Sequence, residues 1–185
     1  SLLLNLKDEV LTLLDAERIT IYAITESGKE IYSKVKAGDE IKEFRIPIDN
    51  TSIAGYVAKN QKPLLIQDAY NSKELAAIDD ELKFNREFDL KTGFRTKHVL
   101  AVPIGTGGKL TGVLQLINKK NGTAFLQEDS QAASEISETL AIAFHNYEKN
   151  RSRVLSKFDL LVGENLILPK DIEDAVQSAR DTNKS

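Results

Sequence analysis

Few residues in this sequence have the types and spacing that catalysis or metal binding requires. Asp79, Asp80 and Glu81 form an acidic cluster, and carboxylates are the ligands that hard divalent cations prefer. Such a run in a polar segment is more often a solvated face. The two histidines, His98 and His145, lie too far apart in sequence to form a ligand-spaced pair. We therefore predict neither catalytic residues nor a metal site.

The absence of cysteine restricts the chemistry further. The 185 residues contain none, which excludes thiolate nucleophiles, disulfides, Cys-ligated zinc and thioether attachment of a bilin. The motifs of a phosphate-binding loop, a nucleophile elbow and a zinc-protease helix do not occur. The glycine-rich segment from Gly105 to Gly108 joins two strand patterns, so we interpret it as a hairpin turn. The sequence predicts a protein that is not an enzyme.

Charge and hydropathy exclude two kinds of partner. The 25 basic and 28 acidic residues are well mixed and give a net charge of −3, without the basic stripe that a nucleic-acid surface needs. The longest apolar run is far shorter than the ~18–20 residues of a membrane span. The chain begins Ser1-Leu2 with neither Met nor a basic leader, so we expect an excised part of a larger cytoplasmic protein.

Hydrophobic periodicity predicts a helix at each end of the first 150 residues. Apolar residues at spacings of three and four indicate the first helix, at Leu3, Leu6, Val10 and Leu13. A helical pattern returns from Gln127 to about Lys157, with apolar positions spaced as in a coiled-coil heptad. We expect its first half to pack on a sheet and the part beyond Tyr147 to favour a dimer. The seam comprises Ala133, Ile136, Leu140, Ala143, Tyr147, Asn150 and Val154.

Between these helices, β-rich segments predict roughly six antiparallel strands with a helical excursion in the middle. Ser52 is suited to cap a short helix, and Pro47 favours an edge strand because proline cannot donate to a ladder. The polar segment 67–96, with helical patches from Leu75 to Phe84, has the length of a lid or binding element. The predicted strands are Arg18–Ile24, Glu30–Val35, Phe44–Ile48, Leu64–Ile66, His98–Ile104 and Leu110–Ile117.

Helices gathered on one face of an antiparallel sheet define an α+β sandwich, which is the fold class that we predict. Residues 1–150 then form one domain that includes both long helices. Residues 151–185 contain the rest of the linker helix and a segment too short to fold alone, in which Pro169 opens a short amphipathic helix. We expect 151–185 to begin a following domain.

Four segments of the first domain carry a family resemblance. They are Ser52–Ala58 with Lys62–Tyr70, then Phe88–Thr96, Val99–Ile104, and Gly112–Lys119 with Phe125 and Asp129. In order and spacing they resemble GAF domains, specifically those of cyclic-nucleotide phosphodiesterases and related bacterial adenylyl cyclases. The resemblance covers about residues 1–150. It implies a GAF-type six-stranded antiparallel sheet with helices on one face and a middle excursion covering a pocket on the other.

The last of these segments resembles a family signature with a structural role. Asn118, Lys119, Phe125 and Asp129 match it, whereas Ser130 stands where the final acid belongs. The resemblance implies that the lysine and the aspartate pair behind the pocket. A carboxylate in the first turn of a helix is also favoured by the helix dipole. We therefore do not predict ligand contacts at these positions.

The resemblance also implies a ligand site. Asp89, Thr92 and Thr96 match the Asp-x-x-Thr-x-x-x-Thr pattern of relatives that bind cyclic nucleotides. Ile53 and Ala54 match positions whose backbone N–H groups meet the phosphate at a helix start. A helix start suits an anion because its first amides are unpaired and the dipole is positive there.

Two further positions complete this implied site. Thr20 falls where relatives have a first-strand hydroxyl that meets the nucleotide, and Gln115 falls where they have an acid. Hydroxyls can donate to a singly charged phosphate, and an amide or carboxylate can read a purine edge. The predicted ligand-binding residues are Thr20, Ile53, Ala54, Asp89, Thr92, Thr96 and Gln115.

The local chemistry also allows a purely structural interpretation. Residues 92–96 make sense as a turn in which Gly93 supplies an unusual backbone angle and Arg95 pairs on the surface. Lys36-Ala37-Gly38 stands where relatives often have an aromatic–acid pair near the base. A phenylalanine would then have to stack on the base instead, and the candidates are Phe84, Phe88 and Phe94. The ligand is left open between cAMP, cGMP and an unrelated compound.

The leading hypothesis is a regulatory sensing domain whose ligand acts on an output domain of the same chain through a homodimer of the terminal helices. One alternative is a dimerisation or docking module without a nucleotide ligand. Another is a sensor of a different metabolite, such as an amino acid, an acyl compound or a tetrapyrrole. A free methionine sulfoxide reductase, which shares the fold, is excluded because that chemistry needs cysteines.

Overall fold

The computed structural model describes residues 2–37 and 40–149. The helices in this part of the chain are α1 (Leu2–Leu13), α2 (Ile53–Asn60), α3 (Ser72–Ile78), α4 (Glu87–Thr92) and α5 (Gln127–Lys149). The strands are β1 (Ala16–Ile24), β2 (Glu30–Ala37), β3 (Glu40–Pro47), β4 (Leu64–Ile66), β5 (Val99–Thr106) and β6 (Lys109–Lys119).

These strands form one antiparallel sheet in the order β3-β2-β1-β6-β5-β4. The first and last long strands of the chain, β1 and β6, are therefore neighbours at its centre. Pro47 ends the edge strand β3, as its missing N–H predicts. The excursion between β4 and β5 contains α3 and α4 and crosses one face of the sheet.

The two faces of the sheet bury different cores, because successive side chains of a strand point to opposite sides. On one face, Ile19 and Ile21 of β1 pack with residues of α1 and α5, including Val10 and Leu140. On the other face, Tyr22 packs with α2 and the excursion. The predicted α+β class, with helices behind the sheet and a middle excursion in front, is confirmed.

Two details of the predicted helices are wrong. Leu13 does not continue the buried stripe of α1, since its side chain is 68% exposed and Leu14 is buried instead. The helical patch expected from Leu75 to Phe84 is the earlier helix α3, and α4 was not expected at all. A six-residue helix is too short to produce a clear hydrophobic period.

The predicted heptad seam is partly used inside the domain. Ala133 and Leu140 are buried against the sheet and Ile136 packs on the same core, so these positions cannot form a dimer seam. Ala143 and Tyr147 lie in α5, of which the structure describes only the backbone there. The remaining seam positions, Asn150 and Val154, and the whole segment 151–185 lie outside the described residues.

The signature that ends β6 has a structural role. Asn118 takes a left-handed backbone conformation with φ of 56°. Its side-chain oxygen accepts from the N–H groups of Lys97 (2.7 Å) and His98 (3.1 Å), and its amide donates to the carbonyl of Arg95 (2.9 Å). Asn118 thereby fixes the segment through which the excursion returns to β5.

The expected ion pair of the signature is present at the start of α5. Lys119 Nζ lies 2.7 Å from Asp129 Oδ2, and both side chains are nearly buried. Asp129 also accepts from the N–H of Leu126 just before the helix, at 2.7 Å. Burial lowers the pKa of the neighbouring His98, whose Nδ1 accepts from the N–H of Lys119. These contacts attach α5 to the sheet. They lie on the face that packs against α1 and α5, and not on the face covered by α2 and the excursion.

No helix within residues 2–37 and 40–149 is long and apolar enough to cross a membrane.

Candidate functional site

A cavity of about 480 Å³ lies between the sheet and the excursion. This volume is in the range of small-molecule sites, which are commonly 300–1,000 Å³ by order of magnitude. The sheet contributes residues from β1, β2, β3, β5 and β6, and the cover comes from α2, α4 and residues 83–85. Six of the seven predicted site residues line it, namely Thr20, Ile53, Ala54, Asp89, Thr96 and Gln115.

Thr20 and Gln115 are directly opposite each other on the paired strands β1 and β6. They are 95 positions apart in sequence, and the ladder places both side chains on the cavity face. Neither side chain forms a hydrogen bond within the described part of the chain. A hydroxyl and an amide are therefore available side by side on the floor of the cavity.

Ile53 and Ala54 form the first turn of α2, where it meets the cavity. Ser52 caps the helix, since its Oγ accepts from the N–H of Gly55 at 3.0 Å. The N–H of Tyr56 donates to the carbonyl of Ser52 at 2.8 Å. The N–H groups of Ile53 and Ala54 have no acceptor among the described residues. Both side chains belong to the core, so these positions offer backbone donors only.

The carboxylate of Asp89 is buried and accepts three hydrogen bonds from the protein. Its Oδ2 accepts from the hydroxyl of Tyr70 (2.7 Å) and the N–H of Thr96 (2.8 Å), and its Oδ1 accepts from the Thr96 hydroxyl (2.9 Å). The hydrogen bond to Asp89 raises the pKa of Tyr70. Asp89 and Thr96 line the cavity, but their polar atoms mainly hold the excursion together.

Thr92 does not line the cavity, in contrast to the other predicted site residues. Its hydroxyl donates to the carbonyl of Phe88 at 2.8 Å, one turn back in α4. Gly93 then ends the helix in a left-handed conformation with φ of 71°. Arg95 lies on the surface, 4.0 Å from Asp68. Residues 92–96 thus form the turn that the structural interpretation predicted, with Gly93 in the unusual backbone conformation and Arg95 paired on the surface.

Tyr70 is the centre of the contacts that hold this cover in place. Its ring lies beside Phe84 with centroids 5.5 Å apart. The guanidinium groups of Arg86 and Arg95 lie 4.3 and 4.2 Å from the ring centroid, within the range of cation–π attraction. With its hydroxyl on Asp89, this one side chain joins the segments before and after α4.

Several residues of the cavity were not predicted from the sequence. Arg18 and Tyr22 are two positions before and after Thr20 on β1, so strand alternation alone could have placed them on the same face. Ser33 lies on β2 with the same alternation as the core residue Ile31. The other lining residues not predicted are Phe44, Arg45, Ile46, Ser52, Lys83, Asn85, Glu87, Lys91, Val99 and Ile117.

Of the three phenylalanines considered as stacking partners, Phe84 and Phe88 line the cavity. Phe88 packs edge-on against Phe44, with ring centroids 5.0 Å apart. Phe94 is not part of the lining and lies instead over the guanidinium of Arg18, 3.0 Å from its ring centroid. Aromatic surface is thus contributed from both the sheet edge and the cover.

The acidic cluster of the sequence has a structural use in this cover. Asp79 ends α3, accepting the N–H of Glu81 on Oδ1 and the side-chain amide of Asn50 on Oδ2, both at 2.9 Å. Within the described residues, no group of three or more histidine or acidic side chains is arranged to hold a metal ion.

An antiparallel sheet with helices behind it and a covered cavity in front defines an α+β domain with a pocket of the size that small molecules occupy. The family model of the GAF domain matches residues 2–144. The chain therefore belongs to the GAF domain family.

Curated relatives lie among the cyclic-nucleotide phosphodiesterases. The chain is 33% identical over 154 residues to a probable 3',5'-cyclic phosphodiesterase, pde-5, of Caenorhabditis elegans, covering 75% of this chain and 20% of that protein. It is 37% identical over 126 residues to the dual 3',5'-cyclic-AMP and -GMP phosphodiesterase 11 of Drosophila melanogaster, covering 66% and 8%. The chain thus spans a fifth or less of the length of these relatives.

Solved structures agree on the fold. The GAF domain of an Acinetobacter phosphoenolpyruvate-protein phosphotransferase superposes with a TM-score of 0.56 at 12% identity, covering 78% of this chain and 80% of that one. The GAF-B domain of DevS from Mycobacterium smegmatis gives 0.54 at 17% identity, covering 82% and 96%. At these identities the likeness concerns the fold alone.

The Tyr70–Asp89 hydrogen bond yields a prediction about the cover. Tyr70→Phe keeps the ring contacts and leaves Asp89 with one donor fewer, so we expect it to lower the free energy of unfolding by about 1–2 kcal/mol. Urea unfolding measures the change. Tyr56→Phe is the matched control, because the buried Tyr56 hydroxyl has no hydrogen-bond partner among the described residues. Equal stability of the two variants would show that the Asp89 contact does not hold the cover.

Proposed function

We propose that this GAF domain binds a cyclic nucleotide, cAMP or cGMP, in the cavity and thereby controls an output domain of a larger cytoplasmic signalling protein. One observation carries the proposal: the cavity combines donors at the start of α2 with polar side chains that have no hydrogen-bond partner among the described residues. A cyclic nucleotide needs both, since it has a charged phosphate and a polar ring edge.

The floor of the cavity supplies groups suited to the ring. Thr20 and Gln115 lie side by side there, and Tyr22 and Ser33 line the same space. Burial raises the pKa of Tyr22 to about 12, so the hydroxyl keeps its proton and can donate. Buried polar groups without a partner are unfavourable, and a ligand that pairs with them removes this penalty.

The predicted site residues then fall into two roles. Thr20, Gln115 and the backbone of Ile53 and Ala54 contact the ligand. Asp89 and Thr96 act mainly by keeping α4 over the cavity, and Thr92 acts through its hydroxyl bond to the Phe88 carbonyl within that helix. Phe84 and Phe88 supply the aromatic surface against which a base can stack.

The relatives support the choice of ligand class. Both phosphodiesterases described above are named for cyclic nucleotides, and their matched region is this domain. The catalytic activity of those proteins is not part of the proposal, because the match covers a small fraction of each. Regulation follows if the ligand binds one state of the domain more tightly than another.

The proposal predicts stabilisation by one cyclic mononucleotide. A thermal-shift screen would compare cAMP, cGMP and cyclic di-GMP with AMP and GMP. A ligand at ~100 times its Kd adds about 2.7 kcal/mol, which corresponds to roughly 5–10 °C in Tm for a domain of this size. We expect Thr20→Val with Gln115→Leu to reduce the shift, and Thr106→Val, at the exposed end of β5, to retain it. A folded protein that shows no shift with any cyclic nucleotide would contradict the proposal.

We also propose that the domain forms a homodimer through the outer faces of α1 and α5. Both helices cover the sheet face opposite the cavity, where they share one core. Leu13 and Ile142 point away from that core and are 68% and 57% exposed. Large apolar side chains exposed on packed helices are typical of association surfaces.

The dimer proposal predicts the effect of a charge at the centre of this surface. Ile142→Lys should convert the chain from dimer to monomer in sedimentation velocity, because burying an unpaired ammonium at an interface is unfavourable. Leu126→Lys is the matched control, since Leu126 is also exposed but precedes α5. A wild-type chain that sediments as a monomer at all accessible concentrations would refute the dimer.

A further inference from the structure

Basic side chains outnumber acidic ones in the lining of the cavity. The described lining contains four basic side chains, Arg18, Arg45, Lys83 and Lys91. It contains two acidic side chains, Glu87 and Asp89. An excess of positive charge around a concave site attracts anions. A ligand can pair with a basic group only where the protein does not already occupy that group.

Two of the basic groups are occupied by carboxylates. Arg45 lies 2.6 Å from Glu43 and 3.5 Å from Glu30. Lys91 lies 3.6 Å from Glu87, one turn away on α4. These pairs are largely exposed, and each cation has a partner within the protein.

The other two basic groups differ from each other. The guanidinium of Arg18 is buried and lies against the ring of Phe94, 3.0 Å from its centroid, so it is held in place by the protein. Lys83 makes no ion pair with any described residue, is exposed, and is part of the cavity lining. Lys83 is thus a lining cation that forms no ion pair with a carboxylate of the described residues.

The backbone of Lys83 lies next to the start of α2. Its N–H donates to the carbonyl of Thr51 at 3.1 Å, one residue before the capping Ser52. The next two residues, Ile53 and Ala54, have the unpaired N–H groups of the first helical turn. A lysine beside a helix start combines a full charge with aligned amide dipoles, which is how proteins commonly bind phosphate.

An independent feature indicates that the cavity takes a ligand. Ser33 and Tyr22 line it with side chains that are only 4% and 9% exposed, and neither hydroxyl has a hydrogen-bond partner in the described residues. Such groups are rarely left unpaired in a buried environment. They are on the sheet side, so a ligand anchored at α2 can reach them with its uncharged part.

We infer that Lys83 is a ligand-binding residue and that, with the N–H groups of Ile53 and Ala54, it binds the phosphate of the ligand. The inference deepens the proposed function, because it concerns the same cavity. It requires a phosphate-bearing small molecule of any kind, whereas the proposed function requires a cyclic nucleotide. The two statements can therefore fail separately.

The test is isothermal titration of the 185-residue chain with cAMP, cGMP, AMP, GMP and inorganic phosphate. Lys83→Gln should weaken the binding of whichever compound binds by about three- to tenfold, as expected for one solvent-accessible charged hydrogen bond. Lys83→Arg should restore most of the affinity. Lys62→Gln, which makes the same charge change at an exposed position outside the cavity, should bind like wild type.

Salt dependence gives a second measurement. The wild-type Kd should rise with salt more steeply than that of Lys83→Gln, because screening acts on the charge that the variant lacks. Binding of a cyclic nucleotide that is identical in Lys83→Gln and wild type would overturn the inference and leave the proposed function standing. If AMP, GMP or phosphate binds in a Lys83-dependent way and no cyclic nucleotide binds, the inference would stand and the proposed function would be overturned. A folded wild-type chain that binds none of these compounds would overturn both.

Discussion

The covered cavity depends on one buried carboxylate. Asp89 is located on α4, and its three donors come from Tyr70 before α3 and from Thr96 just before β5. A single side chain thus joins three parts of an excursion that is about 30 residues long. A buried charge is tolerated only when it is well hydrogen-bonded, so these parts must stay together for the carboxylate to remain satisfied.

This constraint explains why a conspicuous sequence pattern has an indirect role. The Asp-x-x-Thr-x-x-x-Thr spacing puts Thr92 one turn from the start of α4 and lets Thr96 turn back to the aspartate. Both threonines then stabilise the cover. The groups with free hydrogen-bonding capacity come from elsewhere, namely β1, β2, β6 and the start of α2. The pattern thus stabilises the wall of the cavity, and we propose that the ligand contacts these other elements.

The sequence predicted most of the sheet because alternation and turn residues are local signals. It placed Thr20 and Gln115 in one site only through resemblance, since the pairing of β1 with β6 is a long-range contact without a local signal. The short helix α4 was not predicted because it has no regular apolar periodicity: its one leucine, Leu90, is 81% exposed. Lys83 and Ser33 look like ordinary surface and strand residues until the tertiary fold brings them to the cavity.

Hydrogen–deuterium exchange with and without saturating cAMP or cGMP reports where on the domain a ligand acts. If the cavity is the site, we expect slower exchange in two regions that are distant in sequence, the first turn of α2 and residues 67–96. The hairpin that joins β5 and β6 should change little. Protection confined to the terminal helices, or no change in either region with a ligand that binds, would contradict the claim that this cavity is the site.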